Sequence, residues 1–221
     1  MYDIVEFLRL IKRAEKQKQY ESADKTIRVA ILGAYSTQYL AKGIRYLLYQ
    51  QLHVQAILYE GAYDGIAKTL LDPRADYFSF HADVTILLPD NETTDIAFYT
   101  SIWKRLPGYV LQSNFVTPNV SALGNLEVNV AASPYVRLQE ANLQLTRRKP
   151  SNVTILDLDG LSARVGKDRW FDYPAYFSTK QGFRLDYLEA VCGLIVRQIG
   201  ALLGRTRKCL VLDLDNTLWG G

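Results

Sequence analysis

The stretch that decides the fold is Ile27-Arg-Val-Ala-Ile-Leu-Gly33-Ala-Tyr-Ser36-Thr37. A short apolar run rich in β-branched residues ends at Gly33, which is typical of a buried strand. Ser36 or Thr37 can then cap a helix that continues to about Gln51. A strand that leads directly into a helix is the first half of a βαβ unit, so this stretch predicts an α/β protein.

The alternation of strand and helix continues along the chain. Further apolar runs predict strands at residues 54–59, 83–88, 109–112 and 153–158. Helical patterns occur at residues 93–105, between the strands predicted at 83–88 and 109–112, and at residues 185–203, after the last of these strands. We therefore predict a doubly wound parallel sheet in three α/β/α layers, of Rossmann-like or SGNH-like type, with ligands at the carboxyl ends of the strands.

The sequence suggests three parts. Apolar residues between positions 4 and 11 recur at helical spacing, which predicts an N-terminal helix packed on the domain or on a partner subunit. We expect residues 1–25 to hold this helix and a linker, and residues 26–204 to form the α/β domain. Residues 205–221 are interpreted as a linker and the first strand of another domain.

Composition narrows the function classes. The chain of 221 residues is 48% hydrophobic and 22% charged, which is typical of a soluble globular protein, and its net charge of +3 gives no support for nucleic-acid binding. Cys192 and Cys209 lie in apolar runs without metal-ligand spacing, so we expect reduced thiols. No apolar run reaches the length of a membrane span. The predicted localisation is cytoplasmic, with no nucleic-acid or membrane partner.

The last residues carry the clearest chemical signal, Leu210-Val-Leu-Asp213-Leu-Asp215-Asn-Thr217-Leu-Trp-Gly-Gly221. Alternate residues of a strand point to the same face, so Asp213 and Asp215 share a direction. Two adjacent like charges are unfavourable unless a cation or a transferable proton relieves them. The pair therefore indicates a Mg²⁺ site that combines a nucleophile with an acid/base.

This apolar strand followed by DxDxT resembles the first motif of the HAD (haloacid dehalogenase-like) superfamily of phosphohydrolases. The sequence DLDNTLWGG resembles the FkbH-like branch of this superfamily, whose members are associated with glyceryl transfer onto acyl carrier proteins. The resemblance implies that Asp213 attacks phosphorus and ligates Mg²⁺, and that Asp215 is the acid/base and offers its backbone carbonyl to the metal. It also implies that Thr217 supports Asp215.

The same resemblance implies a phosphorylated three-carbon substrate and an acyl carrier protein as partner. A HAD domain also needs a Ser or Thr, a Lys and more carboxylates further along the chain. We therefore expect this chain to be the front of a longer protein that is cut just after the catalytic strand.

The order of polar residues in the front domain resembles the layout of SGNH hydrolases. Ser36 follows the first strand and Asn114 follows the fourth, but Asp172-Tyr-Pro-Ala175 has Ala where the triad His would stand. Gly33, Ser36, Asn114 and Asp172 are the candidate residues of a front-domain pocket that could bind an acyl or pantetheine group.

The histidines argue against a Ser36 nucleophile. A serine hydrolase needs a base, and the only two histidines, His53 and His81, directly precede predicted strands and so belong to the amino ends of the sheet. Ser36 is interpreted as a helix cap. Two alternatives to a phosphatase stay open: a non-catalytic module that binds a carrier protein or substrate, and an esterase that uses Ser36.

A second DLD sequence ends the fifth predicted strand at Asp157-Leu-Asp159. Leu161 stands where the HAD motif has Thr, so we interpret these carboxylates as loop-forming or helix-capping, or as lining the domain's own pocket. Residues 164–177, rich in Arg, Asp, Trp and Tyr, are predicted to form a loop over the site. Their aromatic side chains either roof the core or make a docking surface.

Overall fold

The computed structural model describes residues 3–92 and 94–205. Asp213, Asp215, Thr217 and Cys209 lie outside the described residues, so their roles stay predictions. Within the described residues the fold class is confirmed as an α/β architecture with an all-parallel central sheet between layers of helices.

The five strands predicted between residues 27 and 158 are present, and the strand predicted in residues 205–221 lies outside the described residues. The bounds of these five strands are β1 Lys25–Gly33, β2 Val54–Glu60, β3 Val84–Leu88, β4 Tyr109–Ser113 and β5 Val153–Leu156. The 5-stranded sheet has the order β2-β1-β3-β4-β5, which is the flavodoxin-like doubly wound order. In such a sheet the direction of the crossovers reverses between β1 and β3, and this opens a crevice at their carboxyl ends.

The helices follow the predicted alternation, with several short additions. They are α1 Ile4–Lys16, α2 Gln38–Leu52, α3 Ile66–Leu71, α4 Asp76–Phe80, α5 Ile96–Trp103, α6 Pro134–Arg148, α7 Leu158–Val165, α8 Lys167–Trp170, α9 Tyr173–Thr179 and α10 Leu188–Leu202. In the part of the chain that the structure describes, three 3₁₀ turns accompany them: Gln19–Ser22, Gly124–Asn129 and Leu185–Tyr187.

The two faces of the sheet bury separate apolar clusters. Along β1, Val29 and Ile31 belong to the cluster under α1, α2 and α10, whereas Ala30 and Leu32 belong to the cluster under α3 to α6. This alternation follows from the two-residue period of a strand. The arrangement confirms the three layers and explains why both faces of β1 are apolar.

The N-terminal helix packs on the domain and contributes to its core. Phe7, Ile11 and Ala14 are buried, and the Phe7 ring meets the Tyr46 ring edge-on at 5.8 Å between centroids. Beside them α2 and α10 approach closely at Gly43, where a Cβ atom would lie 2.5 Å from Sγ of Cys192. Glycine therefore sets the spacing of this helix pair.

Two local predictions were wrong. Residues 164–177 are helical, because α7, α8 and α9 follow one another with Gly166 at φ +93° between α7 and α8. Asp172 caps α9 by accepting the Ala175 N–H at 3.0 Å. Ser36 is not a helix cap: Thr37 precedes α2 and its side chain makes no capping hydrogen bond.

Candidate functional site

The carboxyl ends of β1, β3, β4 and β5 surround a cavity of about 180 Å³, here called the strand-end cavity. Tyr35 follows β1, Asp90 and Glu92 follow β3, and Ser113 and Asn114 come at the end of β4. The cavity therefore lies at the crevice that the strand order creates, where ligands of doubly wound sheets bind.

Aromatic side chains roof the strand-end cavity. Trp170 and Phe183 lie 5.4 Å apart between ring centroids, and Phe183 meets Tyr35 edge-on at 6.2 Å. Trp170 also stacks on Tyr187 at 6.0 Å with an interplanar angle of 10°. Trp170 is buried, so the interpretation as a roof of the core holds for this residue.

Two aromatic side chains of α9 face outward. Tyr173 is 55% exposed and Phe177 is 71% exposed, so large apolar side chains from this segment also reach the surface. The two interpretations of residues 164–177, a roof and an exposed aromatic surface, therefore apply to different residues of the segment.

Gly182 allows the Tyr35 ring to close the cavity. A Cβ atom at position 182 would lie 2.5 Å from Cγ of Tyr35, so any other residue would displace the ring. Burial raises the pKa of the Tyr35 hydroxyl well above its ordinary value, so this group stays protonated at neutral pH. Tyr35 therefore forms an uncharged wall of the cavity.

Ser113 forms the inner end of the cavity. It is 1% exposed, and its Oγ atom has no hydrogen-bond partner among the described residues. Ser113 lies two residues beyond Leu111 on β4, so its side chain points to the same face of the sheet, where Tyr35, Trp170 and Phe183 pack. A buried hydroxyl without a partner is uncommon in proteins and calls for an explanation.

The second DLD sequence is structural, as predicted. Asp157 caps α7 by accepting the Gly160 N–H at 2.8 Å, and it also accepts Nδ2 of Asn114 at 2.8 Å. Oδ1 of Asn114 in turn accepts the Asp159 N–H at 2.9 Å. The Asn114 side chain therefore joins the end of β4 to the end of β5.

Asp159 accepts three hydrogen bonds through one carboxylate oxygen. Its Oδ1 accepts the Thr117 N–H at 2.7 Å, the Thr117 hydroxyl at 2.8 Å and Nζ of Lys167 at 2.5 Å. Lys167 also donates to Oγ of Ser162 at 3.1 Å. The carboxylate and the ammonium group thus neutralise each other and fix the loop that follows β4. Sequence reasoning missed Lys167, since nothing in its surroundings distinguishes it from a solvated lysine.

Ser36 lies in a separate, wider cavity with Thr37, Lys42, Gly61 and Lys180. Tyr35 contributes to both cavities and separates them. The Ser36 N–H donates to the Lys180 carbonyl at 2.8 Å.

The candidate front-domain residues do not meet in one place. Asn114 lines the strand-end cavity and Ser36 lines the wider one, whereas Gly33 and Asp172 line neither. His53 and His81 terminate α2 and α4 in the left-handed conformation, at the amino ends of β2 and β3. Ser36 therefore has no histidine beside it.

Residues 3–92 and 94–205 provide neither a metal-binding cluster nor a membrane-spanning helix. That part of the chain contains no cluster of three or more His, Cys, Asp or Glu side chains that could hold a metal ion. Nor does it contain a helix with the length and apolar character needed to span a bilayer. The predicted Mg²⁺ ligands, Asp213 and Asp215, are outside this part.

Comparison with known proteins identifies a similar solved structure. No protein-family model matches the chain, and no curated protein does. The crystal structure of the N-terminal part of the protein BF1531 from Bacteroides fragilis, which contains a phosphatase domain and is complexed with Mg, matches with a TM-score of 0.85 and 28% identity. The match covers 100% of this chain and 62% of that structure. This chain therefore spans less than two thirds of its structural neighbour.

A second structure is more distant. LAE5, an α/β hydrolase enzyme from the metagenome of Lake Arreo in Spain, matches with a TM-score of 0.48 and 10% identity over 84% of this chain and 97% of that one. This similarity is too low to support a conclusion about function.

Proposed function

We propose that this chain belongs to a Mg²⁺-dependent phosphatase of the HAD type, in which Asp213 is the nucleophile and Asp215 the acid/base. The observation that carries the proposal is the DxDxT sequence at 213–217 in a chain that resembles, over its whole length, a protein with a phosphatase domain crystallised with Mg. The chemistry of the donor set supports the metal, because carboxylate oxygens are the ligands that Mg²⁺ prefers.

The residues of the motif have complementary roles in the proposed reaction. A carboxylate oxygen of Asp213 forms a bond to phosphorus while the substrate's P–O ester bond breaks, and Asp215 gives its proton to the leaving oxygen. Asp215 then takes a proton from the water that hydrolyses the aspartyl phosphate. Thr217 holds Asp215 in position, and Mg²⁺, when bound, balances charge on the phosphoryl oxygens.

The proposed substrate is a phosphorylated three-carbon acid, whose glyceryl group is loaded on an acyl carrier protein as in FkbH-like enzymes. The support for this finer proposal is the DLDNTLWGG sequence. The exposed aromatic side chains of α9 and the basic residues Arg205, Arg207 and Lys208 would suit an acidic carrier protein.

One observation favours a second candidate, a front domain that binds and does not catalyse. The described residues form a cavity with an aromatic roof. The two carboxylates beside it, those of Asp157 and Asp159, already accept hydrogen bonds from other side chains of the domain. In this alternative the domain recognises a carrier protein or substrate for chemistry carried by other residues. An esterase acting through Ser36 has no comparable support, because neither histidine lies beside that serine.

The decisive test uses the protein encoded by the complete gene and measures phosphate release with and without Mg²⁺. Asp213→Asn is expected to reduce activity to the background. Asp215→Asn is expected to reduce it about 10²- to 10⁴-fold, the usual contribution of a general acid/base. Asp157→Asn, the same change in the second DLD sequence, is the matched control and should leave the rate unchanged.

Two other outcomes would decide against the proposal. Activity that survives Asp213→Asn but is lost with Ser36→Ala, together with labelling of Ser36 by a fluorophosphonate, would support the esterase. Absence of Mg²⁺-dependent phosphate release, together with measurable binding of an acyl carrier protein, would support the non-catalytic module.

A further inference from the structure

The strand-end cavity differs chemically from its inner end to its mouth. Ser113, at the inner end, offers a buried hydroxyl without a partner among the described residues. The walls are aromatic, and Glu92, which lines the mouth, is exposed. A ligand that matches this order has a polar group at its inner end, an apolar body and a solvated outer end.

The apolar body would lie among aromatic rings. Five of the lining residues are aromatic: Tyr35, Trp170, Phe171, Tyr176 and Phe183. Rings that surround a cavity offer large contact areas, and their faces attract cations. The Tyr176 ring already shows this preference, since Nζ of Lys180, a residue of the neighbouring cavity, lies 5.4 Å from its centroid.

The charged side chains that line the cavity are acidic. Asp90 and Glu92 line the cavity, and no Lys, Arg or His is among the described residues that do so. Burial raises the pKa of Tyr176, and Tyr63 together with the carboxylates of Glu92, Asp90 and Asp64 raises it further. An anionic ligand would therefore be repelled, whereas a cationic one would be attracted.

We propose that the strand-end cavity binds a small organic amine, with its protonated nitrogen at the Glu92 mouth, its apolar body between the aromatic rings and a hydrogen-bonding group at Ser113. This site is independent of the proposed phosphatase chemistry, because it uses neither Asp213 nor Asp215. The cavity volume of about 180 Å³ suits a single ring with a short side chain, since an engineered cavity of about 150 Å³ binds benzene.

Four probes of nearly equal size separate the parts of this proposal. Tyramine carries the amine and an inner hydroxyl, 4-hydroxyphenylethanol replaces the amine by a neutral group, and 4-hydroxyphenylacetate replaces it by an anion. Phenethylamine keeps the amine but lacks the inner hydroxyl. Dissociation constants are measured by titration calorimetry at pH 7 with the 221-residue chain.

Tyramine is expected to bind most tightly and 4-hydroxyphenylacetate most weakly. Tyramine should exceed phenethylamine by about 2- to 10-fold, the contribution of one neutral hydrogen bond. Ser113→Ala should remove this difference, whereas the exposed control Ser101→Ala should keep it. Glu92→Gln should weaken tyramine about 2- to 5-fold without affecting 4-hydroxyphenylethanol, and Glu140→Gln on the exposed side of α6 is its control.

The proposal is overturned if the anion binds as tightly as tyramine, or if the neutral alcohol binds more tightly than the amine. It is also overturned if the preference for tyramine over phenethylamine persists in Ser113→Ala. Failure of all four probes to bind at millimolar concentration overturns it as well.

Discussion

Nζ of Lys167 lies 2.5 Å from Oδ1 of Asp159, and both side chains are 24% exposed. The ammonium group also donates to the Thr117 carbonyl at 2.9 Å and to its hydroxyl at 2.7 Å. One cation therefore holds together the loop after β4, the first turn of α7 and the start of α8. These segments flank the strand-end cavity, so the ion pair stabilises one side of its wall.

Replacement of Lys167 by Met should destabilise the fold by about 2 kcal/mol, because hydrogen bonds to charged groups contribute about 1.5–3 kcal/mol. The measurement is the free energy of unfolding by urea. Arg9→Met is the matched control, since the Arg9–Glu6 pair has exposed fractions of 73% and 45%, and its loss should cost below about 0.5 kcal/mol. Equal losses in the two variants would show that the Lys167 contacts do not contribute as described.

Replacement of Ser113 by Ala should leave stability unchanged or raise it by up to about 1 kcal/mol, because the hydroxyl is buried without a partner. The matched comparison is Thr85→Val. The Thr85 hydroxyl is 2.7 Å from the Tyr77 hydroxyl, and its removal should cost about 1–3 kcal/mol by leaving Tyr77 unpaired. Thermal unfolding measures both variants. A marked loss in Ser113→Ala would mean that its hydroxyl has a partner in solution.

Replacement of Gly43 by Ala should destabilise the α2–α10 pair by about 1–3 kcal/mol, the usual cost of overpacking a core. The new methyl group would meet Sγ of Cys192 and the Phe7 ring. Gly193→Ala on α10 is the control, because its methyl group would approach only the flexible end of Arg197, at 3.3 Å. That variant should gain from helix propensity. Equal stabilisation of both variants would contradict the close approach at Gly43.

Alkaline pH should weaken the fold partly through Cys192. Burial raises the pKa of this thiol, with a smaller contribution from Glu189. In the unfolded chain the thiol ionises near its ordinary pKa of about 9, whereas the folded protein keeps the proton. The free energy of unfolding should therefore fall above about pH 9, by at most about 1.4 kcal/mol per pH unit for this group.

The control for this pH dependence is Cys192→Ala, which should have a shallower decline between about pH 9 and 10. Urea unfolding at a series of pH values gives both slopes. A decline of equal slope in the two proteins would assign the alkaline effect to other groups, such as Tyr20, whose pKa burial raises to about 12.

The strands could be predicted because each corresponds to a local run of apolar residues in the sequence. β1 and β3 are buried on both faces, so their residues form nearly continuous apolar runs that a solvated loop would not contain. Asp157 and Asp159 were also predicted as capping or loop-forming carboxylates, because Leu161 replaces the threonine that the motif requires. In both cases the residues of the segment itself were sufficient for the prediction.

The strand-end cavity could not be predicted in the same way. Tyr35, Ser113 and Phe183 are far apart in the sequence, and only the strand order brings them together. The short helices α8 and α9 were missed because they are too brief for an amphipathic period. Asp172 followed by Pro174 was an available signal for the start of α9, since an N-cap residue with proline in the first turn is typical of a helix start.

The burial of Phe7, Ile11 and Ala14 gives α1 a further consequence. A protein shortened to begin at β1 would leave an apolar strip of α2 and α10 open to water. Such strips promote self-association. The first helix therefore shields this strip from water, and its removal should increase self-association, which size-exclusion chromatography of the two proteins would measure.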